Sequence, residues 1–117
     1  SVRQGRTTDV AIDIKKIDIQ ACLAHLGKQG YTSVLVEGGS TIISSFVEAL
    51  AFDKIVTYIG NLVIGGTNST SAVGGTGFAT LHDTPRLEFA SSRILDNNIR
   101  IESYRVGREG SYVYRHR

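Results

Sequence analysis

The stretch "SVLVEGGSTIISSF", residues 33–46, constrains the fold more than any other. An apolar run ending Val34-Leu35-Val36 meets an acid, Glu37, then two glycines and two hydroxyl residues. A helical repeat follows, with Ile43, Phe46, Val47 and Leu50 on one face. No polar residue interrupts the end of the apolar run, so it reads as a buried, parallel strand. "DKIVTYIG", residues 53–60, is the next strand, and strand, helix and strand within about thirty residues make a right-handed crossover unit.

A helix precedes this unit within "AIDIKKIDIQACLAHLGKQG", residues 11–30, where Ile19, Cys22, Leu23 and Leu26 share a face. Asp18 is its expected N-cap and Gly30 its expected stop. After the crossover, "NLVIGGTNSTSAVGGTGF", residues 61–78, is rich in glycine, serine and threonine but has apolar ends, as an ordered functional loop does. The last third, "RLEFASSRIL", "DNN", "IRIESYRV", "GREG" and "SYVYRHR", alternates strands with turn residues. The expected fold class is α/β: a mixed sheet with a parallel core, antiparallel C-terminal strands and flanking helices. Residues 1–117 show no internal repeat and no linker, and read as part of one domain.

With 41% hydrophobic and 21% charged residues, the chain has the balance of an ordinary soluble domain. No apolar run approaches the roughly 20 residues of a membrane span, and "SVRQGRTTDV" has no apolar signal core, so a cytoplasmic protein with no membrane partner is expected. Cys22, the only cysteine, reads as a packed small apolar residue and excludes an intramolecular disulfide or a paired-cysteine zinc site. The histidines do not cluster: His25 reads as surface or core, His82 as a turn residue and His116 as part of the tail. No metal is expected. A net charge of +2 is too small to point to nucleic acid. The basic residues concentrate at both ends, as solvated tails or phosphate-facing segments.

Glu37-Gly38-Gly39-Ser40-Thr41 admits two readings. The first turn of a helix has N–H groups without intrahelical partners and carries partial positive charge. Glycines there let a phosphate approach the backbone, and Ser40 and Thr41 add hydroxyl donors. Alternatively, Gly38 and Gly39 only make a tight turn and Ser40 only caps the helix; the pattern is neither Gly-x-Gly-x-x-Gly nor the lysine-bearing Walker motif. Glu37 favours the cradle. A carboxylate ending a buried strand needs partners, and beside a phosphate it must point elsewhere, toward a ligand's hydroxyls or ring N–H groups, unless backbone amides take it up.

The segments "VEGGST", "FDKIVTYI" and "IGG…GGTGF" resemble the C-terminal part of the riboflavin-biosynthesis reductase domain, over roughly residues 16–106. The likeness is to the stand-alone archaeal and fungal type, which reduces a phosphoribosylamino-pyrimidine. It implies a dihydrofolate reductase-like fold, NADPH as cofactor with NADH as the alternative, and a homodimer. By the resemblance, Gly38, Gly39, Ser40 and Thr41 are the pyrophosphate-binding turn, and Glu37 is the acid near the substrate's ribose and the nicotinamide. Gly65 and Gly66 are the glycine pair that helps close the site. Val63 and Ile64 are either its apolar wall or plain core, and Asp53 is structural. Arg3 and Arg6 are candidates for the 2′-phosphate.

Two positions depart from the family pattern: Asn61 stands where a proline is usual, and Lys54 where many members carry an acid. Both imply altered loop geometry or dimer contacts. Members are also far longer, so the chain is expected to be the C-terminal portion of such a domain, without the segment that reads the base. A non-catalytic nucleotide- or phosphate-binding module and a dimerisation element are the alternatives.

Overall fold

The computed structural model describes residues 18–107 and the backbone of residues 2–4 and 6–8. The expected strand in "SYVYRHR", His116 and the side chains of Arg3 and Arg6 lie outside the described residues. The chain forms two compact units, Ser1–Ala51 with Thr70–Gly77, and Phe52–Ser69 with Phe78–Arg117.

The first unit contains strands β1 (Val2–Gln4) and β2 (Arg6–Thr8), helix α1 (Ile19–Lys28), strand β3 (Ser33–Val34) and helix α2 (Ser40–Glu48). Asp18 caps α1 as expected: its Oδ1 accepts from the Gln20 N–H at 2.9 Å and the Ala21 N–H at 3.3 Å. The predicted face is the one that packs, with Ile19 and Leu26 buried and Cys22 and Leu23 half-buried. In α2, Phe46 and Ser44 are buried. Serine and threonine are weak helix formers, and here two hydroxyls turn back on the helix: Ser44 and Ser45 both donate to the Thr41 carbonyl, at 2.8 and 3.0 Å.

Both helices end in the same double-bonded turn. After α1 the Tyr31 N–H reaches the Leu26 carbonyl and the Gly30 N–H reaches Gly27; after α2 the Ala51 N–H reaches Phe46 and the Leu50 N–H reaches Val47. The turn requires a positive φ, which Gly30 adopts freely at 90° and Leu50 adopts at 53°.

The sheet of this unit differs from the expected parallel one. Its order is β2-β1-β3 and both pairings are antiparallel, Val2 facing Val34 and Arg3 facing Ser33. Among the described residues the run pairs as a strand over Ser33–Val34, and Leu35 is 41% exposed, so it is not enclosed on both faces as a central parallel strand would be. β3 and the next strand, β4, belong to different sheets, so they do not form a crossover within one sheet. The N-terminal basic segment, read as a solvated tail or a phosphate-facing segment, contains β1 and β2, which removes the first of these.

In the second unit, β4 (Lys54–Gly60), β5 (Arg86–Leu95) and β6 (Asn98–Val106) form an antiparallel sheet of order β4-β6-β5. The expected "DNN" turn is a tight hairpin in which Leu95 faces Asn98 and Asp96 takes φ 54°, the sense that matches strand twist. A bulge between Phe89 and Ser91 shifts the register of β5. Arg105 ties the start of β4 to β6: its N–H bonds to the Asp53 carbonyl at 2.9 Å and its Nε to the Phe52 carbonyl at 2.7 Å. Register places Ile59, Ile99 and Ile94 in one row across the sheet, with Phe89 two rows along on the same face. That face is open along β5, where Phe89 and Ile94 are each 78% exposed, whereas Ser103 of β6, opposite Phe89, is buried.

Candidate functional site

The glycine turn joins β3 to α2. Gly38 has φ +147°, a conformation that residues with a Cβ rarely adopt. Gly39 is the N-cap of α2, with φ −75° and ψ 168°, and no side chain caps the helix. No acidic residue stands in the first turn to oppose an anion. A Cβ built on Gly39 meets nothing within 4 Å, so nothing in the described chain requires glycine there. The space it leaves is open to a group from outside. Thr41 is exposed beside it, and its hydroxyl has no hydrogen-bond partner among the described residues.

Ser40 does not share that freedom. Gly74 lies against it: the Gly74 N–H donates to the Ser40 carbonyl at 3.1 Å, and a Cβ on Gly74 would stand 3.0 Å from Ser40 Oγ. The contact continues one and two turns along α2. Gly75, at φ +76°, has room for no side chain, since its Cβ would come within 2.5 Å of Glu48 Oε1 and 2.8 Å of Ser44 Oγ. The Gly77 N–H donates to Glu48 Oε1 at 3.1 Å. Ser40, Ser44 and Glu48 recur every four residues and so form one stripe of the helix, along which residues 74–77 are strapped. Glu48 was not singled out from the sequence. The signal was present in that small-small-acid spacing, facing a glycine-rich loop of unknown destination.

Glu37 sits beside the turn but is exposed, and Leu35–Glu37 lie outside the strand. The expectation that burial forces partners on this carboxylate is therefore corrected; its place rests on adjacency to Gly38 alone. Gly65 and Gly66 lie in the second unit, with φ +68° and +87°. The Ser69 hydroxyl donates to the Gly65 carbonyl, and the Ser69 N–H bonds to the Gly66 carbonyl at 3.4 Å. Val63 is 96% exposed and Ile64 82%, which removes a plain core role for either. His25 and His82 are exposed, and no group of three metal-ligating side chains occurs among the described residues.

Residues 2–101 match the family model described as the RibD C-terminal domain. The chain belongs to that family. It is 35% identical over 107 residues to the riboflavin biosynthesis protein RibD of Bacillus amyloliquefaciens, covering 91% of this chain and 29% of that protein. It is 27% identical over 97 residues to the 2,5-diamino-6-ribosylamino-4(3H)-pyrimidinone 5′-phosphate reductase of Methanothermobacter thermautotrophicus, covering 83% of this chain and 45% of that one. Solved structures of Acinetobacter baumannii RibD share the fold, one form with a TM-score of 0.69 at 22% identity, over 77% of this chain and 25% of that one. The chain is thus α/β with the dihydrofolate reductase-like fold of RibD, and it spans less than half the length of these relatives.

Both departures from the RibD-type pattern have partners in the second unit. Lys54 Nζ lies 3.0 Å from Glu102 Oε1. Asn61 Nδ2 donates to Asn97 Oδ1 at 3.0 Å, joining the end of β4 to the β5–β6 turn. Arg100 also bonds Glu102 at 3.0 Å and the Tyr58 hydroxyl at 3.1 Å. Lys54, then Arg100, hold the Glu102 carboxyl down at about 2, with a hydrogen bond from Ser91 adding to them against desolvation. This network braces the sheet through three strands and contains none of the expected site residues.

Proposed function

We propose that the protein is an NADPH-dependent reductase of riboflavin biosynthesis, acting in the cytoplasm on a phosphoribosylamino-pyrimidine. The ribosyl side chain is reduced to ribitylamino by hydride transfer to C1′. The observation that carries this reading is the uncapped first turn of α2, with open space where Gly39 lacks a Cβ and an exposed Thr41 beside it, in a chain of the RibD C-terminal family. Relatives named as pyrimidinone phosphate reductases support the substrate class.

The residues present fit a dinucleotide's pyrophosphate. The N–H groups of α2's first turn would hold it with help from the helix dipole, and Gly38 and Gly39 would let it approach the backbone. The Thr41 hydroxyl would donate to a phosphate oxygen. When bound, NADPH supplies the hydride. The chain's own tasks are orientation and electrostatics. Glu37, next to the cradle, orients the substrate's hydroxyls or stabilises positive charge developing at C1′. Gly65 and Gly66, in the second unit, are the glycine pair that the resemblance also assigns to cofactor binding.

Titration of the purified chain with NADPH, followed by nicotinamide fluorescence and heat, tests the reading. Saturable binding in the micromolar range supports it and leads to an assay with the phosphoribosylamino-pyrimidine. A folded chain that does not bind at millimolar NADPH overturns it for this chain.

A second reading is a binding or dimerisation module derived from the domain, favoured in its dimerising form by the exposed apolar side chains of β5, Phe89 and Ile94. A homodimer fits both readings, since Ile59, Ile94, Ile99 and Phe89 are exposed apolar side chains on one face.

A further inference from the structure

We infer that Glu48 is a positioning residue for the anion site at the start of α2, acting through the strap formed by residues 74–77. The inference rests on the reading of that turn as a cofactor cradle and adds a residue the family resemblance did not mark.

Glu48 lies at the far end of α2 from the cradle, two turns along the stripe that begins at Ser40. Its Oε1 accepts the Gly77 N–H at 3.1 Å, and Gly75 fits beside it only because it has no side chain. At the other end of the strap, the Gly74 N–H is fixed on the Ser40 carbonyl at 3.1 Å. Two backbone N–H groups of the strap are thus anchored on one helix, one of them on a side chain that a substitution can remove. With Gly75 and Gly77 both at positive φ, this segment has few side-chain contacts of its own to hold it.

Gly74 closes the Ser40 side of the first turn. An anion must therefore approach over Gly39 and Thr41, where the space is open. Releasing the Glu48 anchor leaves the strap held on α2 at Gly74 alone, and the wall beside the first turn is then less firmly fixed. Pre-organised N–H groups bind an anion better than ones that must be ordered on binding, so affinity falls.

The charge of Glu48 complicates a simple deletion, because a carboxylate on this helix repels an anion at its N-terminus. Glu48→Gln and Glu48→Ala both remove that charge, but only Gln keeps an oxygen to accept the Gly77 N–H. The comparison of the two variants isolates the hydrogen bond. The experiment is NADPH titration of the unaltered chain, Glu48→Gln and Glu48→Ala, with amide exchange at Gly77 and thermal unfolding of each.

The expected result is that Glu48→Gln binds at least as well as the unaltered chain. Glu48→Ala should bind about five- to tenfold more weakly than Glu48→Gln, with faster exchange at Gly77. Equal NADPH affinity of the two variants, with exchange at Gly77 faster in Glu48→Ala, overturns the inference and leaves the cofactor reading standing. A parallel fall in affinity and melting temperature in both variants assigns Glu48 to stability alone and also overturns it. Absence of binding by the unaltered, folded chain overturns the cofactor reading and this inference with it.

Discussion

At the residue scale, the two glycines of the turn have different reasons to be glycine. Gly38 is fixed by its backbone, since φ +147° is strained for any side chain. Gly39 has extended dihedrals that valine adopts readily, and open space at its Cβ. Gly39→Val is therefore expected to fold, with a melting temperature a few degrees lower because valine is a poorer N-cap, and to weaken NADPH binding at least tenfold, by filling the cradle. Retained affinity in the titration would sink the cradle. The neighbouring hydroxyls separate in the same way. Thr41→Val should weaken binding about threefold or more through a lost donor, whereas Ser40→Ala, against Gly74, should leave affinity unchanged. The sequence displayed all four residues, but not which hydroxyl faces outward, because that depends on where the 74–77 strap returns. Its failure over Glu37 has a related cause: apolar neighbours implied burial, and the run leaves the sheet before reaching the acid.

At the scale of elements, helices were legible because their signals are local. The Asp18 cap, the α1 face and the Gly30 stop all follow from residues within a few positions of each other. Gly30→Ala should cost about 1 kcal/mol in chemical denaturation, because φ +90° disfavours a Cβ, although the same turn in α2 is made by Leu50. The β4-β6-β5 sheet carries a pH-sensitive brace. Glu102 titrates near 2 in the folded chain, below the 4.5 of an unperturbed carboxyl, so the unfolded chain takes up its proton more readily. This stabilisation is complete above about pH 4.5 and disappears as the pH falls toward 2. Glu102→Gln should lower stability at neutral pH and flatten its acid dependence in that window, measured by urea unfolding across pH. The effect should be modest, because Lys54 is 38% exposed and water screens the pair. An unchanged acid profile would remove Glu102 from that role.

At the scale of the whole molecule, strand pairing was the least legible level. The run 33–37 has the composition of a buried parallel strand, yet what it pairs with depends on β1, whose residues carry no strong strand pattern of their own. The β5–β6 hairpin was readable because its turn and alternation lie together in sequence. Alternation alone did not say which face would be covered. In the structure the face bearing Glu102 carries the ionic brace, and the opposite face is open along β5, at Phe89 and Ile94. An exposed row of this kind favours association, and a two-fold dimer would set the same patch of one copy against that of the other. A single substitution then acts twice. Replacing Ile94 by lysine removes about 1.5–3 kcal/mol of apolar burial per copy, enough to weaken a dimer on the order of a hundredfold or more. Sedimentation equilibrium should show the unaltered chain as a dimer and Ile94→Lys as a monomer of unchanged secondary structure. An unaltered chain that stays monomeric at tens of micromolar would instead assign the open face to some other partner, and the homodimer would have to be abandoned.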